Sequence, residues 1–247
     1  MNVVVRYLPV VLLLGLWEAA SRLGWISPDI LPPVSAILAY WWQLFKTGDL
    51  AKHAFASLWR EGAGLGLSIA VGTAIGIIMA VSTTVQRLVQ PFITFLYPMP
   101  KSALIPIIII WFGLGHSAQI AVIFLGCLLP VILGAFNGAK GVERALIWSA
   151  RSLGASPRKT VWDVVVRGAM PEILAGIRVA LALSFVLLVS AEMIGARQGL
   201  GYLIAFLGEQ GEYAGMFAVI FTLVAFGFAA DRLYLAFSQH MLRWREA

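Results

Sequence analysis

Long apolar runs with few charges alternate with shorter polar stretches. Blocks of spanning length fall at residues 4–21, 62–82, 91–113, 117–136, 173–194 and 214–236. A helix of about 20 residues, rising ~1.5 Å per residue, crosses ~30 Å of hydrocarbon. A soluble all-helical core would show a polar face at helical period, and "GLGLSIAVGTAIGIIMAV" shows none. The pattern predicts an all-α integral membrane protein with six transmembrane helices, residues 1–247 forming one domain. The first block has Arg6 as its only early positive charge. Glu18 sits where a cleavable signal wants a small residue, so the block is read as a span rather than a leader.

The segments between the blocks differ in character. Residues 24–58 open on a Pro-rich stretch and continue with Val34, Ile37, Leu38, Trp41, Leu44 and Phe45 at helical spacing. With Trp25, Trp41 and Trp42 nearby, that stretch predicts a helix anchored at a membrane interface. With six spans, both termini and segments 83–90 and 137–172 share one side. That side carries Arg6, Arg87, Lys140, Arg144, Arg151, Arg158, Lys159, Arg167, Arg243 and Arg245; the other carries Lys46, Lys52 and Arg197. The asymmetry places both termini and the 137–172 loop in the cytoplasm.

Composition agrees: 60% hydrophobic, 12% charged, mean hydropathy +0.88, against about 25% charged in a soluble domain. Topology accounts for the +6 net charge without nucleic acid. Cys127 stands alone, which excludes a disulfide frame and a Cys-based metal site. No phosphate-binding G-x-x-x-x-G-K-[ST] motif occurs, and "GAKG" at 138–141 is not one. "IIIIWFGLGHSA" imitates a dinucleotide fingerprint but lacks an acidic residue at the required distance. His53, His116 and His240 have no metal or Ser–His spacing. The chain is therefore read as no enzyme, with no cofactor of its own.

Two stretches invite closer reading. In "GAKGVERALIWSARSLGASPRKTVWDVVVRGAMPE", Val142, Leu146, Ala150 and Leu153 form one apolar stripe, Gly154 ends the helix, and Ser156-Pro157 starts another. A helix–Gly turn–helix results, with Arg158 and Lys159 at the N-terminal end that the macrodipole disfavours; an acidic partner, lipid headgroups or topology alone would explain them. "YPMPKSALIPIIIIWFGLG" places Lys101 among Pro98, Pro100 and Pro106, ~15 Å into the third block. A charge at that depth costs ~2.5–3.5 kcal/mol and must face protein, water or a counter-ion. It either lines a pathway for anions or snorkels from a kinked span.

The stretch "WSARSLGASPRKTVWDVVVRGAMP" resembles the EAA loop of ABC-importer permeases. "PMPKSALIPIIIIWFGLG" and "SAEMIGARQGLGYLI" are similar to further signatures of the nitrate/sulfonate/taurine branch, and with "GAGLGLSIAVGTAIGIIMA" the match spans residues 55–240 in order. Trp148, Ser149 and Ala150 stand at the Glu-Ala-Ala, so the glutamate is missing, and Arg167 replaces a proline; Gly154, Val164, Val166 and Pro171 keep the pattern.

The resemblance implies a type I importer permease whose loop 137–172 is a coupling element. Ser149, Ala150, Arg151, Gly154, Ala155, Ser156, Arg158 and Lys159 would dock a cytoplasmic ABC ATPase dimer that binds ATP and Mg. It also implies a homodimer in the inner membrane and an extracytoplasmic substrate-binding protein. Nitrate, sulfonates, taurine, bicarbonate, aromatic acids and pyrimidine precursors are all candidate solutes. Lys101, Ser184, Ser190 and Glu192 are candidate pathway residues. Gly176, Ala180 and Ser184 form a small-residue stripe for helix packing, and Gly62, Gly66, Gly72 and Gly76 read the same way. Glu192 is expected to pair with Arg197 or gate the outer mouth, Arg178 to snorkel, and Asp231 and Arg232 to be structural. The rival class, an ion-coupled secondary transporter, wants acidic relays in several spans, where only Glu18 and Glu192 qualify. A membrane scaffold would leave the helix–Gly–helix loop unexplained.

Overall fold

The computed structural model describes residues 3–245, with side chains described over residues 8–244; the side chains of Arg6 and Arg245 lie outside the described residues. The described residues form helices and connecting turns with no strand. In order they are α1 (Val3–Arg22), α2 (Val34–Thr47), α3 (Asp49–Val81), α4 (Thr83–Leu96), a 3-10 turn (Lys101–Leu104) and α5 (Ile105–Phe112). Then follow α6 (His116–Gly141), α7 (Arg144–Ser152), α8 (Pro157–Thr160), a π-helical turn (Val161–Val166), α9 (Arg167–Gly195), α10 (Leu200–Glu209) and α11 (Tyr213–Met241).

Four helical stretches are long and apolar enough to cross a bilayer: Asp49–Val81, His116–Gly141, Pro157–Gly195 and Tyr213–Met241. A fifth is a broken pair, Thr83–Leu96 with Lys101–Phe112, bent by 96°. Three expectations change here. The second block extends back to Asp49, taking Lys52, His53, Arg60 and Glu61 into one helix. The third block is two helices rather than one kinked span, because Ser82 caps a helix that starts at Thr83 and Pro98 and Pro100 stop it. The segment between the fifth and sixth blocks holds α10.

α6 lies at the centre, between α3 and α9, and the core follows that contact through Ile123, Cys127, Val131, Ala135, Ala169, Ile173, Ala180 and Leu188. Missing side chains let the backbones close. A Cβ on Gly76 would meet the Ile132 carbonyl at 2.5 Å, and one on Gly134 would meet the Glu172 carbonyl at 2.7 Å. Gly176 returns the contact against the Pro130 carbonyl, also at 2.7 Å. Small residues at a close crossing are how helices associate in lipid, where apolar burial gives little driving force. The expected stripe on α9 thus packs as read. On α3, Gly72 and Gly76 do so, but Gly62 and Gly66 face open space and Gly64 takes the contact, against Ile123.

α2 is the expected amphipathic helix, yet it is more than an anchor. Ile37 and Leu44 are buried, and Trp41 Nε1 donates to Thr222 on α11 at 2.9 Å. α1 joins the bundle through Trp17, which meets Phe217 and Phe221 edge-on. Its Leu12, Leu13 and Leu16 stay exposed, as lipid contact requires.

Candidate functional site

The expected helix–Gly turn–helix is present. α7 ends where Gly154 takes φ +83, a left-handed conformation that side chains rarely adopt, and Ser156 accepts from Lys159 N to cap α8 with Pro157 in its first turn. α8 continues through the π-helical turn into α9, so this arm is the end of a 39-residue helical run, Pro157–Gly195. The apolar stripe is not buried as a stripe. Ile147 packs on the core, while Leu146, Trp148, Trp162 and Leu153 are exposed, Leu153 to 86%. Ser149, Arg151, Ser156, Arg158 and Lys159 are exposed beside them, and Ala150 and Ala155 half-buried. Leu146, Ser149, Ala150 and Leu153 border a groove of about 880 Å3, lined also by Val164, Met241 and Trp244. Arg151, Arg158 and Lys159 have no carboxylate partner among the described residues; Asp163 reaches Arg167 at 3.8 Å.

Lys101 is tied to the backbone beside it. Its ammonium donates to the carbonyls of Leu96, Tyr97 and Met99 at 2.9, 2.8 and 2.8 Å. Those carbonyls belong to the end of α4 and the turn beyond it, where the prolines supply no N–H. A lysine near a helix C-terminus satisfies such carbonyls and complements the dipole, and all three of its donors are used. The charge among the prolines is thus the fastener of the corner they create. Lys101 also borders a cavity of about 600 Å3 between α6 and α9, with Tyr97, Pro130, Gly134, Glu172 and Leu183.

The other candidate pathway residues separate. Ser190 lines a groove between α9 and α11 and donates to the Val186 carbonyl. Ser184 and Glu192 have no exposed surface. Ser184 Oγ lies between the Leu181 carbonyl and Glu61 Oε1. Glu192 pairs with Arg60 at 2.5 Å rather than with Arg197, which is exposed. Arg60 Nη1 also donates to the Gln198 carbonyl at 2.6 Å, and its Nε donates to His116 Nδ1 at 3.1 Å. Ser57 donates to the Glu192 carboxylate and accepts from Leu200 N at 2.8 Å. Gly201 N donates to Glu192 Oε2 at 2.9 Å, and Gly199 N to His53 Nδ1 at 3.0 Å. From α6, Gln119 holds the Gly195 carbonyl at 2.8 Å.

The sequence reading missed this network because it began the second span just after Glu61. The signal was there: His53, Ser57, Arg60, Gly64 and Ser68 recur at helical spacing, and all are buried. Glu61 joins Glu192 as a buried acid inside the bundle, whereas Glu18, the other acid counted, is half-buried on α1 and pairs with Arg22 and Ser35. Arg178 does not simply snorkel; it grips Asp231 with Nε at 3.0 Å and Nη2 at 3.3 Å, and Arg232 lies over the Phe228 ring. Among the described residues no group of three His, Cys, Asp or Glu side chains could hold a metal.

Both the sequence and the fold match known proteins. Residues 72–243 match the family described as binding-protein-dependent transport system inner membrane component. The taurine transport system permease protein TauC of Escherichia coli (strain K12) is 37% identical over 80% of this chain and 74% of its own length. The putative aliphatic sulfonates transport permease protein SsuC of the same organism is 33% identical over 98% and 91%. An inward-facing structure of the MetNI methionine ABC transporter shares the fold, with TM-score 0.63 at 19% identity over 76% of this chain and 93% of that chain. Family members work with an ATPase and a substrate-binding protein. The chain belongs to this family: it is the inner-membrane permease subunit of a binding-protein-dependent ABC importer, and not itself an enzyme.

Proposed function

We propose that the chain forms the substrate pathway as a homodimer, driven by a cytoplasmic ABC ATPase dimer that binds ATP and Mg. It takes a small anionic solute of the sulfonate or taurine kind from an extracytoplasmic binding protein. Both termini and the α7–Gly154–α8 element face the cytoplasm on this reading, which rests on the asymmetry of lysine and arginine. The observation that carries it is the exposure of large apolar side chains on that element. Trp148, Leu153 and Trp162 stand exposed beside Arg151, Arg158 and Lys159. Large apolar side chains left exposed on one short element mark an interaction surface, and the charges favour an acidic rim around the receiving groove. Trp148, in place of the usual glutamate, gives the contact an apolar anchor. Lys101 adds a fixed positive charge beside the α6–α9 cavity, which supports an anionic solute. The relatives that transport taurine and sulfonates support the same class.

The test is uptake of labelled taurine by cells or vesicles carrying the chain with its genomic partners. Sensitivity to ATP depletion and insensitivity to uncouplers is the expected result. Uptake that follows the proton gradient instead would return the secondary-transporter reading. Gly154→Asp should leave the chain in the membrane and abolish both uptake and ATPase association.

A further inference from the structure

α10 begins in an unusual way. A helix start leaves its first N–H groups unpartnered, and a local Ser, Thr, Asp or Asn normally serves them. "ARQGLG" offers none, and Gly199 stands at the N-cap with φ +131. The three N–H groups of Gly199, Leu200 and Gly201 are instead taken by His53 and Ser57 of α3 and Glu192 of α9. A cap borrowed from two other helices forms only when those helices stand at the right separation. The far end of α10 turns at Gly211, again with positive φ, +77, so the helix has a glycine joint at each end.

The partners are polar where apolar ones would hold more firmly. A buried ion pair gains little over apolar packing, since the desolvation of both charges offsets their attraction. The same charges recover their hydration when the contact opens, which keeps closed and open arrangements close in energy. Glu192 also sits on the helical run that begins at Pro157, so ~50 Å of helix joins it to the Gly154 turn. A shift of that run along or about its axis moves Glu192 past Ser57 and Arg60.

We propose that Arg60, Glu192, Ser57 and His53 are positioning residues that act through α10 as the catch of the extracytoplasmic gate: the cap that His53, Ser57 and Glu192 place on α10, with Arg60 holding Glu192, breaks when the ATPase end of α9 moves. The proposal rests on the orientation and docking given under Proposed function. The catch closes as seen here, and water takes the four side chains when it opens.

The experiment is hydrogen–deuterium exchange on the chain in lipid nanodiscs with its co-purified ATPase, nucleotide-free and trapped with ATP and vanadate, alongside ATP hydrolysis with the binding protein and taurine as probe. Trapping should raise exchange at residues 199–201 by roughly tenfold, the size of a lost capping hydrogen bond. Ser57→Ala removes one cap and leaves no charge behind. It should show that rise without nucleotide, keep its ATPase, and lose stimulation of hydrolysis by the binding protein. Identical exchange in both wild-type states, or full stimulation in Ser57→Ala, overturns the catch. If no ATPase accompanies the chain, docking fails separately. Ser57→Ala alone then tests the cap: faster exchange at 199–201 with the α6 core unchanged supports it, and a uniform rise or none overturns the catch.

Discussion

The two ends of the Pro157–Gly195 helical run break opposite rules of burial. Near Gly154, Trp148, Leu153 and Trp162 stand exposed, while near Gly195, Arg60 and Glu192 are 2% and 0% exposed. An exposed apolar cluster is incomplete by itself and points outward to a partner. A buried ion pair with its hydrogen bonds satisfied is complete and points inward, to the geometry of its own helices. On the proposed reading, one end is covered by a partner and the other holds and releases the register of its own helices.

That contrast can be broken from its strong side first. Glu192→Ala leaves Arg60 charged and buried, and should destabilise the chain by about 3–5 kcal/mol; thermal unfolding in detergent would show it. Arg60→Met with Glu192→Met should recover most of that loss, and a double variant as unstable as the single would deny that pairing is the issue. A core change of another kind comes next. Gly76→Val drives side-chain atoms into the Ile132 carbonyl and should cost about 1–3 kcal/mol, with loss of folded yield. Lys101→Met strips three carbonyls of their donor and should cost about 1–3 kcal/mol. Lys101→Arg, which keeps charge and donors, should recover part of it in the same unfolding assay. At the exposed end, Leu153→Ser should change stability by less than about 0.5 kcal/mol yet abolish ATPase association. The smallest effect belongs to the exposed Arg178–Asp231 pair: Asp231→Asn should leave the unfolding temperature unchanged, as surface ion pairs contribute little.

Much of this was legible in the chain. The helical class follows from apolar runs of spanning length. The helix–Gly turn–helix follows from Gly154 and Ser156-Pro157, whose backbone demands are local and survive any tertiary arrangement. The catch was hidden because its parts are far apart: Ser57 and Glu192 meet across 135 positions. A charged pair in "LWREGAG" reads as the edge of a span when only hydropathy is weighed. The 96° corner was half legible, since three prolines announce a break but say nothing of its angle, and only the carbonyls they free explain Lys101.

The central claim is that the exposed apolar element is covered by an ATPase. The most direct measurement is affinity purification of the tagged chain from native membranes in mild detergent, wild type beside Leu153→Ser and Gly154→Asp, with mass spectrometry of what accompanies each. The account predicts a phosphate-binding-loop ATPase with the wild type and none with either variant, at equal membrane yield. An ATPase retained by both variants, or absent from intact wild type, would contradict it.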